Sequence, residues 1–224
     1  MMKKAVLMLL ISPMPWAFRR AVMQHILGYS VHRDAFISRF ALVLPSHLVM
    51  EAHASIAAFT VAIHLDSLEL KEHASIGRSN WISGFPKGSN KHFAHVSNRN
   101  PKLILGAHSA ITKQHIIDCT HSIEIGSFTT IAGYRSQFLT HSIDYVECRQ
   151  NCSPIKIGDY CLIGTGCIFL PGTSLASHSI CGAGSIVNKD LNEEYRLYAG
   201  SPAASKKALD KDAKYFTRTF GYVD

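Results

Sequence analysis

The stretch Ile157-Gly158-Asp159-Tyr160-Cys161-Leu162-Ile163-Gly164 places two apolar residues, Ile157 and Ile163, six positions apart, each followed by glycine. Carried forward, the spacing selects Phe169, Leu175, Cys181 and Val187, followed by Leu170, Ala176, Gly182 and Asn188. The fifth place holds Cys161, Cys167, Thr173, Ser179 and Ser185. Neither the helical period nor the two-residue alternation of a plain strand gives a repeat of six. Upstream the frame returns at Ile125, Ile131 and Gln137, at Leu105, Ile111 and Ile117, at Leu70, Ile76 and Ile82, and at Met50, Ile56 and Ala62. Three such hexads close one triangular turn of three short parallel strands. The apolar residue stacks inside, the small fifth residue lets the wall pack, and Gly or Ala eases each corner. The predicted fold is all-β, a parallel β-helix built from hexapeptide repeats.

Composition fits a coil of strands. The 224 residues are 47% hydrophobic and 17% charged, with a net charge of +7 and 13 histidines. Charged residues are scarcer than the roughly 25% of an ordinary domain, which excludes a disordered chain or a coiled coil. No apolar run reaches the roughly 18 residues of a membrane-spanning helix. Lys3 and Lys4 before the apolar run 5–11 imitate a secretory signal, but Pro13, Met14, Pro15 and Trp16 occupy the place of a small-residue cleavage site. An uncleaved, cytoplasmic protein is expected. Six cysteines without a CxxC pair point to a reducing compartment and to neither a redox nor a zinc motif.

The chain divides into an N-terminal helical cap over 1–47, the repeat coil over 48–192, and a C-terminal tail with a helix over 193–224. Two loop insertions, near 83–104 and 144–156, interrupt the coil. Trp16, Arg19, Arg20, Met23 and Leu27 predict an amphipathic helix stopped by Gly28. It reads as a cap on the open end of the coil. The flanking cations around 5–11 are also patterned for peripheral contact with the inner face of a membrane. The tail over 206–214 is expected to be helical, with Tyr215, Phe216, Phe220 and Tyr222 docking back. The loop 84–102 carries Lys87, Lys91, His92, His95, Arg99 and Lys102 and no acidic residue, which suits an anionic acceptor. No nucleic-acid motif is present.

The string 157–164, together with Gly182-Ala183-Gly184-Ser185-Ile186-Val187-Asn188-Lys189-Asp190 and Ala199-Gly200-Ser201-Pro202-Ala203, resembles the closing segment of the hexapeptide-repeat acyltransferases. That family includes the maltose, galactoside and xenobiotic acetyltransferases and sugar O-acetyltransferases of surface-polysaccharide biosynthesis. The resemblance covers 50–207. It implies a left-handed coil, acetyl-CoA as co-substrate, a sugar acceptor and a homotrimer with its sites in the grooves between coils.

Thioester-to-hydroxyl transfer needs a base, and histidine suits the task because it titrates near neutrality. His141, in Leu139-Thr140-His141-Ser142-Ile143-Asp144, matches the place where the family carries its base, in a THP-like or SHD-like string ahead of a loop. His53, His73 and His121 recur near the same place of the hexad, so a wall position competes with a functional one for each. His121 and His141, twenty residues apart within a repeated Thr-His-Ser-Ile, are expected to stack in adjacent coils. His115 and Asp118 would contact the acceptor, orient a partner, or serve as structural hydrogen-bonding groups. Asp144 would hold the His141 ring or lie exposed in the loop. The resemblance further implies that Gly164, Thr165 and Gly182 receive the pantetheine arm and that Lys189 and Lys207 meet the phosphates. Ala204 stands where relatives often carry a basic residue, which leaves Lys206 or Lys207 to substitute.

Two other readings share the fold. The γ-class carbonic anhydrases bind zinc through three histidines, two of them five residues apart. Here His115 and His121 are six apart and no third falls in frame, so no metal is expected. A non-catalytic scaffold would not call for both His141 and Lys189. Cys161, Cys167 and Cys181 point inward, which favours direct attack on the thioester over an acyl-enzyme.

Overall fold

The computed structural model describes residues 2–88 and 92–223. Among them, three sheets of seven, nine and seven strands run the length of a coil, parallel throughout except for the last strand of the second. Each turn contributes one strand to each sheet, as in Ser67–Leu70, Ser75–Ile76 and Trp81–Ser83. The next turn lies directly above: Leu68 pairs with Leu103, Ile76 with Ile111 and Ile82 with Ile117. Hexad residues from Met50 to Val187 line the interior, and Ile56, Leu70, Ile163, Phe169 and Val187 are fully or almost fully buried. The corners are called first, second and third after the sheet they leave.

The coil begins earlier than the sequence boundary of 48. Ser30–Val31, Phe36–Ile37 and Leu42–Leu44 already form one turn, and Val31 pairs with Met50. Val31, Ile37 and Val43 obey the hexad with Ala35 and Ala41 buried at the fifth place, but Met50 follows Val31 one residue sooner than the twenty-residue rhythm allows. The frame also slips at Gln137: Phe138 is the inward residue, in register with Ile117 and Phe169. The corner through Gly133 and Arg135, both at positive φ, holds the extra residue.

Two helices close the lower end. α1 (Met2–Ile11) buries Met8 and Ile11, and α2 (Trp16–Leu27) buries Arg19 and Met23. Gly28 ends α2 in the left-handed conformation (φ 69°), which glycine adopts without a Cβ penalty. Arg19 donates to the carbonyls of Ile37 and Ser38 at 3.1 Å each, satisfying backbone at the end of the second sheet. The predicted cap is therefore a helical pair covering 2–27.

The hexad glycines have a different cause from the one expected. Gly164 and Gly182 do not adopt positive φ. A Cβ on Gly164 would lie 2.6 Å from the Ala183 nitrogen, and one on Gly182 would lie 3.1 Å from the Ala199 Cβ. They are required by the close approach of successive turns rather than by corner geometry. Other residues, most of them not glycine, take the positive-φ places at the corners. Along the first corner His53, His73, His108, Phe128, Tyr160, His178 and Tyr195 do so in successive turns. Their rings stack into one column with centroids 4.6–5.3 Å apart.

The tail is not helical over 206–214. Ala204–Ala208 is a strand antiparallel to Arg196–Ala199, and only α3 (Lys214–Thr217) is helical. Here the last strand of the second sheet has a free edge, and pairing with it satisfies backbone groups that an exposed helix would bury nowhere. The aromatic end does dock back. The Tyr215 hydroxyl donates to the Cys161 carbonyl at 2.9 Å, Phe216 is buried, and the Arg218 guanidinium lies 3.8 Å from the Tyr215 ring centroid and 5.6 Å from that of Tyr160.

Candidate active site

Both insertions leave the coil at the third corner. The first follows strand Trp81–Ser83 and returns at Lys102–Leu105. The second is a hairpin rather than a loop: His141–Asp144 pairs antiparallel with Arg149–Cys152. Between them in the stack lies the uninterrupted turn after strand Ile116–Asp118. One edge of the coil therefore brings together the first loop, Asp118 to Ser122, and His141.

Asp118 is the centre of this arrangement. Its Oδ1 accepts from the Thr120 hydroxyl at 2.7 Å and the Thr120 amide at 3.2 Å. Its Oδ2 accepts from the amides of Thr140 and His141 at 3.1 and 3.2 Å and lies 2.6 Å from His141 Nδ1. The His141 side chain remains 44% exposed, against 12% for Asp118. With Nδ1–H donated to the carboxylate, Nε2 keeps its lone pair for a substrate proton. The hydrogen bond to Asp118 raises the His141 pKa, burial opposes this, and the carboxylate charge adds to the rise. Burial would push Asp118 up, but the hydrogen bonds from His141 and Thr120 hold it below its ordinary value. A buried carboxylate, an oriented imidazole and an accessible ring nitrogen make a base supported from behind.

The first loop packs against this dyad. Arg99 is buried; its guanidinium donates to the carbonyls of Phe85, Pro86 and Thr120 and lies 5.2 Å from the Phe93 ring centroid. Phe93 in turn meets the His141 ring edge-on at 6.3 Å. Lys87, His92 and His95 are exposed on the loop, and Lys102 pairs with Glu124 at 3.0 Å. Lys91 lies outside the described residues.

Several sequence expectations change here. Asp144 does not hold the His141 ring; its carboxylate accepts from the amides of Val146 and Glu147 and shapes the hairpin turn. His115 is buried. Its Nε2 lies 3.0 Å from the Thr112 hydroxyl, its Nδ1 accepts from the Ser136 amide, and burial lowers its pKa to about 4. It joins successive turns and has no face for an acceptor. His121 does not stack on His141: the third-sheet register aligns Asp118 with Leu139, 21 residues on, and His141 leaves the wall in the hairpin. His121 is buried and its Nδ1 accepts from the Ser122 amide. Among the described residues no group of three or more His, Cys, Asp or Glu is placed to hold a metal ion.

The residues expected at the acyl carrier divide between two edges of the third sheet. Lys189 follows strand Ile186–Val187 at the third corner, two turns above His141 and so about 10 Å along the coil. Gly164, Thr165 and Gly182 lie at the second corner, where the Thr165 hydroxyl donates to the Tyr134 carbonyl at 2.8 Å. Because Ala183 and Ala199 occupy the space beside Gly164 and Gly182, those two leave no bare surface. Gly166 and Gly184, at the same corner with φ of 68° and 71°, have open space where a Cβ would stand. The resemblance singled out the packing glycines and passed over these two. Lys207 pairs with Leu197, whereas Lys206 is the extra residue of a bulge, and its Nζ is 3.9 Å from where a Cβ on Gly200 would lie. Lys206 thus reaches the second corner.

No protein-family profile matches the chain. It is 28% identical over 163 residues to the galactoside O-acetyltransferase of Escherichia coli K12, covering 69% of this chain and 74% of that protein. Among solved structures, a hexapeptide-repeat acetyltransferase of Vibrio cholerae superposes with a TM-score of 0.50 at 19% identity, over 93% of this chain and 90% of the other. A variant of the N-acyltransferase AntD from Bacillus cereus, in complex with dTDP-4-amino-4,6-dideoxyglucose and coenzyme A, superposes with a TM-score of 0.52 at 13% identity, over 87% and 88% of the two chains. These structural likenesses concern the fold.

Proposed function

We propose, from the premise that this chain is a member of the hexapeptide-repeat acetyltransferase family, that it moves an acetyl group from acetyl-CoA to a sugar hydroxyl of a bacterial polysaccharide or its precursor. The observation that carries this reading is the 2.6 Å contact between His141 Nδ1 and the buried Asp118 carboxylate beneath an exposed ring.

His141 Nε2 takes the acceptor's hydroxyl proton as the oxygen attacks the thioester carbonyl. The tetrahedral intermediate collapses, the carbon–sulfur bond breaks, and the imidazolium returns its proton to the departing thiolate. Asp118 stabilises the imidazolium between those steps. No acyl-enzyme forms: burial raises the thiol pKa of Cys152, the cross-strand neighbour of His141, and that of Cys161 to about 12, which disfavours the thiolate in both.

The carrier lies along the third sheet, with its pantetheine arm beside Thr165 at the open backbone of Gly166 and Gly184. Lys189, with Lys206 or Lys207, meets the phosphates. Between the two edges the sheet's outer face presents Trp81, Ile116, Gln137, Ile168 and Ile186 in register, apolar but for Gln137, with Trp81 and Ile116 exposed. Such a flat apolar face suits association of three copies around it, with the sites in the grooves.

His141→Ala should lower turnover by about two to four orders of magnitude while leaving acetyl-CoA binding intact. The assay is thiol release from acetyl-CoA with a panel of nucleotide sugars and lipid-linked sugars, each as hydroxyl and amino forms. Unchanged turnover in the variant removes His141 as the base, and transfer confined to amines replaces O- by N-acetylation.

A further inference from the structure

α1 is apolar on two opposite faces. Met8 and Ile11 are buried against the coil, while Val6, Leu9 and Leu10 point away from it, with Leu9 and Leu10 70% and 68% exposed. A helix apolar all round is ordinarily covered on every side. Leu9 shares a groove with Phe40 and Phe59, whose stacked rings, 5.7 Å apart, are themselves more than half exposed. The apolar surface therefore continues from α1 onto the second corner, larger than scattered exposed side chains would give.

Its rim is cationic. Lys3 flanks the exposed stripe, Arg39 lies in the groove beside Phe40, and residues 1–33 contain no Asp or Glu. A second copy on this face would set those cations against their own equivalents across a two-fold axis. Anionic headgroups would complement them. No helix among the described residues is long and apolar enough to cross a membrane, so the surface suits lying on a bilayer.

We propose that this face docks the protein on an anionic lipid bilayer, with α1 parallel to the surface, Val6, Leu9, Leu10, Phe40 and Phe59 entering the acyl boundary, and Lys3 and Arg39 at the headgroup phosphates. The docking is independent of the acyl-transfer reading.

Flotation of the full chain with vesicles of phosphatidylcholine, alone or with about 30% phosphatidylglycerol, tests it. The anionic vesicles should carry at least about tenfold more protein, and about 0.5 M salt should release much of it through screening. Leu9→Glu/Leu10→Glu and, separately, Lys3→Glu/Arg39→Glu should each reduce flotation about tenfold or more with the circular dichroism unchanged, since these side chains are exposed. Absence of flotation by the parent, or equal flotation by the leucine variant, overturns the proposal. So does a lipid-free assembly that the leucine substitutions dissociate while the parent ignores vesicles, which would make a second copy the occupant.

Discussion

Asp118 lies 23 positions before His141, and the coil's 21-residue register between neighbouring third-sheet strands brings them together. This partnership fixes the pH response. As the proposed base, His141 acts only when neutral, and its folded pKa is raised, so activity should climb with pH through a value above the ordinary 6.5. Asp118→Asn removes the acceptor that raises it. The acid limb of kcat/KM should move to lower pH, and turnover should fall by about one to three orders of magnitude as the ring loses its orientation. An unmoved limb would mean that Asp118 is structural only. Stability carries its own signs. The raised His141 pKa contributes stability that is present below 6.5 and lost as pH rises through the folded value. His115, depressed to about 4, does the opposite: its neutral form is favoured, and stability is lost as pH falls from about 6.5 toward 4. At pH 5 this amounts to about 2 kcal/mol, which chemical denaturation of the parent and of His115→Gln at pH 7 and 5 should resolve.

Among the elements, the insertion 84–101 owes its place to Arg99, which joins the carbonyls of Phe85, Pro86 and Thr120 beneath the Phe93 ring. Arg99→Ala leaves the buried Thr120 carbonyl and the part-buried Phe85 and Pro86 carbonyls without this donor, an effect of about 1–3 kcal/mol centred on the loop. Faster amide exchange over 92–101 and a raised KM for the acceptor are expected, with acetyl-CoA binding unchanged. The strands are governed by tighter constraints. A Cβ on Gly126 would lie 2.6 Å from the Gly158 carbonyl carbon, so Gly126→Ala should cost about 2 kcal/mol and lower Tm by about 5 °C. Stacking of this kind was readable in the sequence from 50 onward, because inward residues recur at six. Where a turn gains or loses one residue, as before Met50 and before Phe138, counting fails although the wall continues. The dyad was readable only in part. His141 stood out by its motif, but His115, Asp118 and Asp144 remained equal candidates. The lateral register that separates them is set by hydrogen bonds between turns, not by spacing along the chain.

On the scale of the whole molecule, the chain closes on itself through its tail. From Phe216, packed on His178 and Tyr195, it passes Arg218 against Phe128 and Tyr160 and reaches Gly221, where a Cβ would stand 2.5 Å from the His108 carbonyl oxygen. The tail thus spans several turns that otherwise touch only their neighbours, and such stacks gain cooperativity from any link between distant repeats. A chain ending at Lys214 should unfold roughly 10 °C lower, with a broader calorimetric transition. An unchanged, equally sharp transition would show that the turns are already coupled through their shared core. The tail's sequence was legible as aromatic and docking; its path was not, because nothing local names the ring column it follows.

That column also decides where this protein is free to vary. Along the first corner every turn from His53 to Tyr195 presents a ring to the column, so a residue gained or lost there would put one storey out of step with those above and below. The third corner has no such ruler. Both extra segments depart from it, and both stand beside His141. For the proposed transferase, new acceptor preferences can therefore arise by lengthening or exchanging these segments while the shaft and the proposed track of the carrier stay as they are, an interchangeable head on a fixed handle.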